Sequence, residues 1–154
     1  MAFFGKRKNR ELDSLDRNEQ VAICAILIAM GEADHDFIPE ERAVIADLLM
    51  RRYSLDEVEA TQLMEDTLAA SEAGKDLASY TATLAARFTP AQKRSVLVMV
   101  WRVIMADNYL HPNEQKLAEQ LTTMLGVGKN VLQEAHKLAM PAHPQVPEKE
   151  EAPA

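Results

Sequence analysis

The stretch Ala33-Asp34-His35-Asp36-Phe37-Ile38-Pro39-Glu40-Glu41 returns 73 residues later, without a gap, as Ala106-Asp107-Asn108-Tyr109-Leu110-His111-Pro112-Asn113-Glu114. Both copies read Ala-Asp-x-x-(apolar)-x-Pro-x-Glu. The match extends upstream, where the apolar run 23–28 overlays 96–101, and downstream, where Val44 and Leu48 overlay Leu117 and Leu121. A repeat at fixed spacing implies one plan used twice. Here the plan is a buried helix, an acidic turn and a second helix.

Working outward, each apolar run is too continuous for a surface helix, which would show a polar face. The run in 14–32 and the run 96–106, interrupted only by Arg102, therefore predict two central helices packed against each other. Pro39 and Pro112 fall where the next helices should begin, because a proline at the first helical position has no N–H to leave unsatisfied. Those helices show apolar stripes at helical spacing, Val44, Ile45, Leu48 and Leu49 in one and Leu117, Leu121, Met124 and Leu125 in the other. Capping boxes are read at Ser54-Leu55-Asp56-Glu57 and Thr89-Pro90-Ala91-Gln92, opening the third and fifth helices. Gly74 should close the third helix, and Leu77, Tyr80, Thr81 and Leu84 mark a fourth. Gly126 and Gly128 should end the sixth, and Val131, Leu132, Ala135, Leu138 and Ala139 mark a seventh.

The expectation is a single all-α domain of seven helices built from two pseudo-symmetric repeats over 14–140. A basic tail precedes it at 1–13, and a disordered Pro- and Glu-rich tail follows at 141–154. A chain of 154 residues is long enough to bury one core, and five glycines among many Ala, Leu and Met favour helix.

The net charge of −7 is uneven. The first ten residues hold Lys6, Arg7, Lys8 and Arg10 with no acid, whereas residues 11–140 hold 12 Lys and Arg against 21 Asp and Glu. Binding to phosphate backbones needs clustered cations, so nucleic acid is excluded as a partner of the body. A protein partner or cations suit it better. Phe3 and Phe4 before the basic cluster could touch an anionic lipid surface weakly. No stretch resembles a signal peptide, the longest apolar run (21–30) is about half a membrane span, and a lone Cys24 gives no disulfide framework. A cytoplasmic location is expected, with Cys24 as a small core residue. There is no glycine-rich phosphate loop, nucleophile elbow or His-Glu-x-x-His, so no enzyme is expected.

The repeated acids allow two readings. As structure, Asp34 and Asp107 fold back onto the free N–H groups of the following helices. Glu41 and Glu114, at the third helical position, then reach back as half of a capping box. As a site, Asp34, Asp36 and Glu41 with Asp107 and Glu114 supply five hard oxygen ligands suited to calcium, magnesium or manganese. His35 or His111 would shift preference toward manganese, iron or zinc. The spacing is not that of an EF-hand.

This repeated turn after an apolar helix, with Tyr53-Ser54-Leu55 read as opening the third helix and Trp101-Arg102 before the second turn, resembles the tellurite-resistance TerB family. The helical domain of DjlA-type co-chaperones is similar. The resemblance covers about residues 14–139. It implies an all-helical, non-enzymatic domain of the tellurite or metal-stress response with divalent-metal binding at Asp34, Glu41, Asp107 and Glu114. Where the family usually has glycine after Ala-Asp, this chain has His35 and Asn108. The competing function is a scaffold or co-chaperone-like interaction module whose acidic turns only cap helices.

Overall fold

The computed structural model describes residues 17–33, 39–107 and 112–140. Among these the chain forms seven α-helices, one 3-10 turn and no strand. The first half holds α1 (Arg17–Glu32), α2 (Pro39–Tyr53), α3 (Glu57–Glu72) and the connecting α4 (Leu77–Arg87). The second holds α5 (Pro90–Ile104), the turn Met105–Asp107, α6 (Pro112–Leu125) and α7 (Lys129–Ala139). Helix starts recur at the interval of the sequence repeat: Arg17 and Pro90, like Pro39 and Pro112, are 73 residues apart, and Glu57 and Lys129 are 72 apart. The expected tails at 1–13 and 141–154 lie outside the described residues.

Burial follows the same interval. Ile23, Cys24, Ile26 and Leu27 are buried in α1, and so are their counterparts Val96, Leu97, Met99 and Val100 in α5. The two helices pack on each other as predicted, and α1 also contacts α2, α3, α4 and α6. Every residue from Ala22 to Ile28 is buried, so α1 presents no solvent face at its centre. Burial holds the Cys24 thiol neutral, pushing its pKa from 9.0 to about 11. Helix α5 departs from the expectation that it is surrounded in the same way. Val98 is only partly buried and Arg102 is exposed, which opens one edge of the helix to solvent. Arg102 therefore needs no buried counter-charge.

Three threonines lie in the core, and each hydroxyl is satisfied locally. Thr67, Thr81 and Thr122 donate to the carbonyls of Leu63, Leu77 and Ala118, four residues back, which removes the cost of burying an unbonded hydroxyl.

The caps confirm one expected box and correct the other. Thr89 caps α5 and Gln92 reciprocates. At α3 the cap is Asp56 with Glu59, not Ser54 with Glu57. Tyr53-Ser54-Leu55 closes α2 rather than opening α3, because Ser54 takes a left-handed conformation (φ 58°) and the Leu55 N–H reaches the Met50 carbonyl at 3.0 Å. That is the six-to-one bond of a Schellman closure. Gly126 (φ 81°) closes α6 in the same way, with Val127 N–H on the Thr122 carbonyl. Gly128, read as part of that stop, is the N-cap of α7. Ser54 and Gly126 thus do one job at equivalent places, and the serine does it at a steric cost a glycine avoids. Ser54→Gly is expected to stabilise the fold by about 0.5–1 kcal/mol in urea denaturation. A loss of stability would mean that the serine side chain, not its backbone, holds the turn.

Candidate functional site

The positions the sequence singles out are distributed unevenly over the described residues. Asp34, His35, Asp36, Ile38, Asn108 and His111 lie outside them. Asp107 ends the 3-10 turn after α5, and its side chain is likewise outside what is described. Glu41 and Glu114 are in place, as the third residues of α2 and α6, each following a proline at the first helical position.

Both glutamates are fully buried, at 0% exposure, while their neighbours Glu40 and Asn113 face solvent. Helical periodicity gives the reason. Glu41, Ile45, Leu49 and Tyr53 are spaced by four and all are buried, so the carboxylate heads the stripe that α2 turns to the core. In α6 the corresponding line runs Glu114, Ala118, Thr122, with Leu121 and Leu125 beside it. The stripes differ from those expected. Val44, Leu48, Leu117 and Met124 are only partly buried, and the acid that begins each stripe was not read as part of it. The signal was present in the spacing, four residues before Ile45 and four before Ala118.

A carboxylate taken from water is costly unless hydrogen bonds or opposite charge compensate it. Neither Glu41 nor Glu114 is free of interactions, although the buried Oε2 of each accepts no hydrogen bond among the described residues. Their position in the first turn also places negative charge at the positive end of a helix. Helix α2, which carries Glu41, packs against the turn Met105–Asp107. Among the described residues no three His, Cys, Asp or Glu side chains gather as a metal-holding group. The described side-chain caps are supplied by other residues, Asp56, Asp76 and Thr89. Asp56 and Asp76 accept from Glu59 and Ser79 N–H, and the Ser79 bond holds the Asp76 carboxyl below its ordinary range.

Sequence reasoning gave His136 no role, yet it stacks on Trp101 with ring centroids 4.1 Å apart and planes at 17°. The Trp101 indole N–H donates to the Leu132 carbonyl at 3.1 Å. These contacts span 31 and 35 positions in sequence, and no local pattern announces them. Leu138, one of the apolar residues that mark α7, is 55% exposed.

Seven helices, with a glutamate buried in the first turn of both α2 and α6, define an all-α domain. The chain matches the family described as Tellurite resistance protein TerB over residues 20–137, and it belongs to that family. No curated protein and no solved structure matches it. No helix among the described residues is long and apolar enough to cross a membrane.

Proposed function

We propose that this chain is a non-enzymatic, cytoplasmic TerB protein of the tellurite and metal-stress response, whose acidic corners take up a divalent cation. The observation that supports this reading best is the complete burial of Glu41 and Glu114 at equivalent helix starts. Acids that cap helices at the surface, Asp56 and Asp76, are exposed. Buried oxygen donors of this kind fit a hard cation, and Asp34, Asp36, Glu41, Asp107 and Glu114 are the residues that would hold it. Calcium, magnesium or manganese suits an all-oxygen set, and zinc suits one joined by His35 or His111. The cation would neutralise carboxylates and tie the two corners together, a structural and sensing role rather than a chemical step.

Calorimetry on chelator-treated protein, with and without added calcium, manganese or zinc, tests the proposal. A ligand that binds only the folded state must raise its stability, by about 2.7 kcal/mol at one hundred times its dissociation constant. Asp34→Ala and Asp107→Ala should abolish that rise. If both variants instead lose about 0.5–2 kcal/mol without metal, and metal changes nothing, the acids serve only as helix caps and the protein is an interaction module.

A further inference from the structure

The seven arginines among the described residues fall into two groups. Arg17, Arg51, Arg87 and Arg94 pair with Asp66, Asp47, Glu19 and Glu134, and Arg42 is also engaged. Arg52 and Arg102 have no carboxylate within 4.0 Å among the described residues. They come from different helices, α2 and α5, yet they line one cavity of about 160 Å³ together with Arg51. Its remaining wall is Leu48, Val98 and Met99, along the solvent-facing edge of α5.

Placement near the ends of α2 and α5 accounts for part of this pattern, since cations are favourable in the last turn of a helix. The helix dipole does not account for three arginines from two helices lining one cavity, because like charges repel. Nor does the protein's overall charge, because residues 11–140 carry nine more acids than bases. Such a lining suits an anion. Guanidinium groups present planar forks of N–H donors that match the oxygens of a phosphate or similar oxyanion. The cavity holds several times the roughly 30 Å³ share of one liquid water. Arg52 is eleven residues from Glu41, about 16 Å along the axis of α2, so this cavity lies away from that glutamate.

We infer that the cavity formed by Arg51, Arg52 and Arg102 is a binding site for a phosphate-type oxyanion, either free or at the end of a larger molecule. Arg52 and Arg102 are the principal ligands, because Arg51 already shares its charge with Asp47.

Titration calorimetry with inorganic phosphate at constant ionic strength, on the intact protein, tests the site directly. Saturable binding is expected, with Arg52→Gln and Arg102→Gln each weakening it by about tenfold or more, the loss of one charge-assisted contact. Arg94→Gln, which removes a cation outside this cavity, should leave binding within about twofold. A parallel arm compares phosphatidic acid with phosphatidylcholine vesicles. Capture by the former alone, lost in the same two variants, would identify a lipid headgroup as the source, while phosphate binding without capture would identify a free ion. Absence of saturable phosphate binding at millimolar concentration, or equal weakening by all three substitutions, would overturn the inference.

Discussion

Trp101→Ala is expected to destabilise the protein by about 3–5 kcal/mol, the range for removing a large buried aromatic from a core that cannot close the gap. The indole is 6% exposed, bonds the Leu132 carbonyl and lies flat on His136, so it ties α5 to α7. Helix α7 has eleven residues, too few to persist without tertiary support. Its only fully placed core residues are Leu132 and Ala135. Helicity by circular dichroism should therefore fall along with the denaturation midpoint. Trp101→Phe separates the contributions, keeping most of the apolar area but losing the N–H donor, and should cost about 1–2 kcal/mol. If the alanine variant loses less than about 1 kcal/mol, α7 is held by something other than the indole.

The double variant Glu41→Gln with Glu114→Gln should lose the whole metal-induced stabilisation, about 2.7 kcal/mol when the cation stands at one hundred times its dissociation constant. Glutamine keeps the shape and one acceptor oxygen of each side chain, so helix capping survives while the charge that attracts a cation is gone. In chelator the variant should stay within about 1 kcal/mol of the parent. Differential scanning calorimetry in the two conditions gives both numbers. A metal response that persists in the double variant would remove the buried glutamates from the ligand set and leave them as structural acids.

The architecture was legible in the sequence because its strongest signals are local and periodic. The unbroken apolar run around Ile23–Ile28 could only be a central helix, and Pro39 and Pro112 marked helix starts to the residue. The capping motif around Ser54 misled because serine is a good N-cap by chemistry, whereas here its backbone conformation decides its role. The burial of Glu41 and Glu114 was readable from the four-residue spacing. It was missed because both glutamates were read only as capping or ligand carboxylates, and charged side chains are rarely fully buried. The Trp101–His136 stack and the arginine cavity depend on which helices become neighbours, and nothing in either local segment specifies that.

Helix α1 is enclosed by five other helices and carries the chain's one cysteine, Cys24, at 0% exposure. A reagent cannot reach that sulfur through the fraying of a terminus or the opening of a single loop, because the helix must first lose its neighbours. Its raised pKa leaves almost no thiolate to react while the core is intact. Thiol labelling in native buffer would then count cooperative opening events of the entire fold. The protein carries its own clock for unfolding, which needs no engineered probe and can be read by mass spectrometry as the slow appearance of a single adduct.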